Sequence, residues 1–178
     1  WEDPGAASRR ARLLDAAAAL GLALFLMVGT YFASQGQPAR RPFDAGTVVL
    51  LLAAAGALAF RRRWPVGVLW FVFGVVLTYF ALNYAAGPIW LTLVISSFTA
   101  VVEGHLWAAV TAAAVGFVIF PWLDYVLRDR PAPPIANLVG LAAWLLVILG
   151  AGLIFRTRRE RVAETAGVAI CGAFEAHS

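Results

Sequence analysis

The chain has 178 residues, 62% of them hydrophobic, with a net charge of +4, a mean hydropathy of +0.80 and only 13% charged residues. A soluble domain carries about a quarter of its residues charged, so a disordered chain is excluded and an ordinary water-soluble globule is disfavoured. A membrane span needs about 20 apolar residues, and six spans leave only short loops and tails, with no room for a soluble catalytic domain of about 100 residues.

Residues 1–12 are polar and hold Arg9, Arg10 and Arg12, so they read as a cytoplasmic flank. The run Ser8-Arg9-Arg10-Ala11-Arg12-Leu13 resembles a twin-arginine export signal. The apolar stretch after it is longer than a signal-peptide core, however, and no A-x-A site closes it. Span one is expected over residues 13–34, with Asp15 suited to the positive end of the helix dipole. Gly36, Pro38 and Pro42 mark a loop.

Span two is expected over 45–60 and is stopped by Arg61-Arg62-Arg63-Trp64-Pro65. Span three covers 66–84, and Ala85-Ala86-Gly87-Pro88 makes a turn. Span four covers 89–102, is short, and contains Ser96, Ser97 and Thr99; a four-span arrangement with re-entrant segments stays open beside it. The link Glu103-Gly104-His105 leads to span five over 106–127, where Pro121 is expected to kink the helix. Arg128 to Pro134 form a charged loop, span six covers 135–155, and 156–178 form a cytoplasmic exit helix and tail.

Continuous apolar runs satisfy their backbone only as helices, and a barrel would show alternation instead. The fold class expected is therefore all-α, a polytopic membrane helix bundle of about six transmembrane helices. Arginine placement sets the orientation. With the N-terminus inside, the cytoplasmic side holds Arg9, Arg10, Arg12, Arg61, Arg62, Arg63, Arg156, Arg158, Arg159 and Arg161. The outer side holds Arg40, Arg41, Arg128 and Arg130, so both termini are expected in the cytoplasm. Tyr31, Tyr84, Trp90, Trp122 and Tyr125 then fall near the outer interface, and Trp64, Trp70 and Trp107 near the inner one. Trp144 sits mid-span and is expected between packed helices.

All 14 basic residues are arginine, which with the abundant Ala and Gly reads as the coding bias of GC-rich DNA. No nucleic-acid partner is implied, because the arginines flank apolar segments. Cys171 is the single cysteine, so an intrachain disulfide and a paired-cysteine metal site are excluded. Trp1 in place of Met points to a processed or incomplete N-terminus.

Catalytic sets are absent from these residues. There is no H-E-x-x-H, P-loop or G-x-S-x-G. Glu103 and His105 share a link, but zinc wants three or four ligands, and a polar turn is the plainer reading. Asp124 stands one helical turn before Arg128 and is expected to pair with it. Ala108, Ala112 and Gly116 form a small-residue stripe that suits either intramolecular packing or a homodimer. No cofactor or metal site is expected on this chain, and the partners expected are the lipid bilayer and a possible second copy.

Three features together resemble the N-terminal membrane region of actinobacterial two-component sensor histidine kinases that signal to LuxR/NarL-like response regulators. They are Arg10-Ala11-Arg12-Leu13-Leu14-Asp15 entering span one, the Arg61-Arg62-Arg63-Trp64-Pro65 turn, and the exit Arg156-Thr157-Arg158-Arg159-Glu160-Arg161. The resemblance covers about residues 9 to 165. It implies a sensor or input domain in the cell membrane, coupled to a dimerisation helix and to a kinase module that uses ATP and Mg. A response regulator would be reached only through that module.

The chain departs from the pattern after Thr165. Gly167 and Gly172 are expected to interrupt the helix. His177 precedes Ser178 where a phosphoacceptor His would precede Asp, and the nucleotide-binding boxes are not in these residues. The change of character reads as a frameshift or a truncated gene. The alternative is a stand-alone small integral membrane protein, a transporter subunit or a structural partner. The outer loops are too short for a folded ligand domain, so a signal is expected to enter through the bilayer or a pocket between helices. The purified chain, mixed with labelled ATP, should gain no phosphate; clear autophosphorylation would overturn this assignment of roles.

Overall fold

The run from Ala45 to Leu58 shows how the sequence sets a helix: an acidic cap, then only apolar and small residues. Among the described residues there are six helices. They are α1 (Pro4–Gln35), α2 (Ala45–Leu58), α3 (Pro65–Ala81), α4 (Trp90–Val102), α5 (Leu106–Arg128) and α6 (Ile135–Glu175). The computed structural model describes the backbone of residues 4–128 and 132–175, and the side chains of 17–123, 125–128 and 132–158. Among the described residues there is no strand, only an isolated bridge between Arg41 and Tyr84.

Local chemistry accounts for the starts. Asp44 caps α2 with a capping box, its carboxylate accepting from the Thr47 backbone N–H at 2.9 Å. Pro65 begins α3 at a position where its missing N–H costs nothing. Pro134 precedes α6 and its carbonyl accepts from Asn137 N–H at 2.9 Å. Pro121 lies inside α5, and the helix runs on through it.

The helix α3 is the hub. It buries Leu69, Val72, Phe73, Val76 and Tyr79, and it packs on α2, α4 and α5. One of its faces joins Leu26 of α1 with Leu51, Ala55 and Leu58 of α2. The other joins Ala100 and Val101 of α4 with Ala108, Ala109 and Ala112 of α5. The stripe from Ala108 to Gly116 is therefore spent inside the chain: a methyl at Gly116 would already touch Phe73 and Phe120 at 3.3 Å.

Among the described residues three helices have segments long and apolar enough to cross a membrane: Ala17–Gln35, Leu106–Arg128 and Ile135–Arg158. The other three, α2, α3 and α4, have 14, 17 and 13 residues. Tight turns lengthen them. Phe60 N–H bonds Ala57 O and Arg61 N–H bonds Leu58 O after α2; Leu91 N–H bonds Pro88 O before α4. These turns explain why the apolar segments outrun the helices.

The helix α1 begins at Pro4 and runs through the polar flank into the apolar stretch. Two expectations need correction. Trp144 is 55% exposed and is not enclosed between helices; it lies at the bundle surface. Gly167 and Gly172 do not break α6, which continues to Glu175. A glycine costs a helix about 1 kcal/mol, and a helix already propagating through alanine-rich sequence absorbs that cost.

A close approach brings α1 against the link from α3 to α4. A methyl on Gly87 would lie 3.0 Å from the Thr30 Cα and 2.6 Å from its hydroxyl, and one on Gly29 would meet the Pro88 ring at 2.6 Å. The Gly87 backbone is not left-handed, so the constraint is steric. Gly87→Ala is expected to destabilise the fold by about 1–3 kcal/mol through overpacking. Thermal unfolding in detergent should show a lowered midpoint for Gly87→Ala and none for Gly21→Ala, whose Cβ meets nothing within 4 Å.

Candidate functional site

The basic turn Arg61–Pro65 is a compact loop. Arg63 N–H and Trp64 N–H both bond Phe60 O, at 3.0 and 3.1 Å, and Trp64 then occupies the cap position of α3. The Trp64 ring is 69% exposed. Arg62 is engaged by a neighbouring group, and Arg63 lines a shallow hollow with Phe60, Trp64 and Phe71.

The exit from the bundle is a continuation of α6. Gly152 lies against Val101 of α4, and Phe155 meets the Phe98 ring at 5.8 Å. Arg156 and Arg158 follow, Arg156 being engaged and Thr157 donating its hydroxyl to Ile154 O at 3.0 Å. The backbone of Arg159, Glu160 and Arg161 is helical, and their side chains lie outside the described residues. Val66 and Leu69 at the start of α3 pack with Ala100 and Val101 at the end of α4. The basic turn and the exit therefore share one end of the bundle. His177 lies outside the described residues, as do the side chains of Arg9, Arg10, Arg12, Asp15 and Asp124.

The opposite end holds a polar knot that residue patterns did not single out. Arg41 N–H bonds Asn83 O at 2.8 Å, and the Arg41 guanidinium lies 3.2 Å from the Asp44 carboxylate and 5.2 Å from the Tyr84 ring centre. The Tyr84 hydroxyl donates to the same carboxylate at 3.3 Å. Gln37 and Ala86 exchange two bonds, the Gln37 amide donating to Ala86 O and Ala86 N–H donating to the Gln37 amide oxygen. Asn83 reaches its place through a left-handed backbone, φ 65°, which Asn tolerates. Arg128 of α5 adds the third helix pair by donating to Phe80 O and Ala81 O, both at 2.8 Å. An arginine suits these orphan carbonyls at the end of α3. Arg128 was expected to serve Asp124; what it serves among the described side chains is the end of α3.

Glu103 closes α4, its N–H bonding Thr99 O, and His105 N–H bonds Ala100 O at 2.8 Å. The His105 Nδ1 is buried without a hydrogen-bond partner. Among the described residues no three His, Cys, Asp or Glu side chains come together as a metal site would need. A cavity of about 340 Å³ lies between α3, α4, α5 and α6. No family model matches the chain, and no curated protein or solved structure matches it either.

The Thr47 N–H holds the Asp44 carboxyl below its ordinary 3.8, with the Tyr84 hydroxyl and Arg41 aiding and desolvation opposing. Burial, and then the bond to Asp44, push the Tyr84 hydroxyl up. A depressed carboxyl stabilises the fold above its unfolded pKa and loses that effect as pH falls through the folded value. Asp44→Asn keeps a cap but not the charge. Its melting midpoint should lie below wild type at pH 7, and the gap should close as the pH is taken below 3.8. A gap that is constant with pH would show that the charge is irrelevant.

Proposed function

We propose that the chain is the membrane-embedded input domain of a two-component sensor histidine kinase. Its six helices cross the cell membrane, and both ends lie in the cytoplasm. The observation that carries the reading is α6, one unbroken helix of 41 residues. At 1.5 Å per residue it is about 60 Å long, twice the thickness of a bilayer core. It joins an apolar bundle to a charged cytoplasmic extension with no hinge in its backbone. A stop-transfer flank needs only the arginines; a rod that continues past them for four turns suits the transmission of rotation or piston movement.

The arrangement of charge supports the orientation. Arg61, Arg62, Arg63, Arg156 and Arg158 gather at one end of the bundle, and the positive-inside rule makes that end cytoplasmic. Arg40, Arg41 and Arg128 sit at the other end, in the knot. The short helices α2, α3 and α4 cross with help from their flanking turns and from arginine side chains that reach the interface.

In this reading ATP and Mg act on a kinase module joined beyond α6, and the response regulator is met there. The second reading, a stand-alone membrane protein such as a transporter subunit, draws on the same helices but gives the helical extension no task.

The two readings separate in a fusion series. Residues 1–164 are joined in helical register to the dimerisation and catalytic module of a sensor kinase, and one to seven residues are inserted after Arg161. Reporter output should rise and fall with a period of about 3.6 residues. Output that is flat across the series would favour the stand-alone protein.

A further inference from the structure

The geometry points to the cavity between α3, α4, α5 and α6 as a binding site for an uncharged, ring-bearing lipophile that enters from the bilayer. Its walls set aromatic rings among aliphatic side chains. Phe73, Trp90 and Phe120 form one cluster: Trp90 and Phe120 meet edge to face at 4.7 Å between ring centres, and Phe73 is tilted against Phe120 at 5.4 Å. Phe117 and Trp144 supply further rings. Ser97 is the one hydroxyl in the lining, and no charged side chain takes part.

Size narrows the class. The cavity holds about 340 Å³, roughly twice the ~150 Å³ void that takes up a single benzene. Ligand pockets begin near 300 Å³ and are mostly apolar with a few placed polar groups. A two-ring molecule with at most one hydrogen-bonding group fits these walls. Aromatic faces favour rings over methylene chains, because edge-to-face contact adds to the gain from area burial. Trp144 lines the cavity and is also 55% exposed, so the cavity reaches the bundle surface beside α6. A ligand can therefore arrive laterally from lipid, without passing the polar knot.

This site stands apart from the kinase reading, since binding is read on the chain alone. The test uses the purified full chain in nanodiscs, with Trp90 and Trp144 as reporters. Bromonaphthalene, a heavy-atom quencher, should quench tryptophan fluorescence saturably, and plain naphthalene should relieve the quenching by competition. Ala113→Leu on α5 and Ser97→Leu on α4 fill the cavity from opposite walls. Whichever of them keeps the wild-type melting midpoint should bind at least about tenfold more weakly.

A second arm places bromine on the phospholipid acyl chains. That quenching should be equal in wild type and filled variants. Quenching by brominated lipid that is lost on filling would make an acyl chain the occupant and overturn the proposal. Bromonaphthalene quenching that rises linearly and is unchanged by filling would reduce the effect to bulk partitioning, and would overturn it as well.

Discussion

Close approach between helices carries this bundle. Where lipid replaces water, helices gain little from hiding apolar surface, and association depends on packing and on bonds between polar groups. The contacts are built accordingly. Ala100 and Val101 meet Ala108, Ala109 and Ala112; Gly152 sits under Val101; Gly29 lies beneath Pro88 and Gly87 against Thr30. Each of these puts a small residue where a larger one would push two backbones apart. The hub α3 can bury both faces only because its neighbours are small at those points. The larger rings fill what remains, with Tyr79 fully enclosed and its hydroxyl donated to Ala85 O at 2.9 Å.

The two ends of the bundle are fastened by different means. At the knot, Arg41, Asp44, Tyr84, Asn83 and Gln37 cross-link the first and third inter-helix loops, and Arg128 clamps the end of α3. These bonds are distributed over several partners, so loss of one leaves the register intact. At the other end α6 meets α4 through Gly152 on Val101 and Phe155 on Phe98, and Arg156 is engaged just beyond. The bundle is thus fastened by a network of directional bonds at one end and by close packing of α6 on α4 at the other.

Three of the helix starts were legible because local chemistry announces them. The Asp44 and Thr47 pair sets the start of α2 at Ala45, Pro65 that of α3, and Pro134 that of α6. The end of α3 was not legible. The apolar run reaches Tyr84, but the helix stops at Ala81, because Asn83 turns left-handed and Tyr84 is drawn to Asp44 some 40 positions away. Such a partner exists only in three dimensions. The same holds for the bonds of Arg128 to carbonyls at the end of α3, which its place in the sequence does not announce. Glycines misled in the other direction: Gly167 and Gly172 look like breakers in isolation, yet α6 propagates across them. The cavity lay furthest from view. Its rings come from four helices, and in the sequence each ring is one aromatic residue among many.

The position of the cavity bears on α6. Its wall on α6 is formed by Leu141, Trp144, Leu145, Ile148 and Leu149, from just under one to about three turns before Gly152. A body inserted there presses on α6 from the side of α4 and α5. Because α6 has no break in its backbone from Ile135 to Glu175, a small tilt at Trp144 is carried past Arg156 as a displacement that grows with distance. Packed interfaces are bistable and not smoothly deformable, so Gly152 on Val101 is the contact at which such a movement would be converted into a change of register. Occupancy of an apolar cavity and the setting of the helical extension beyond Arg156 are in this way joined by one rigid element.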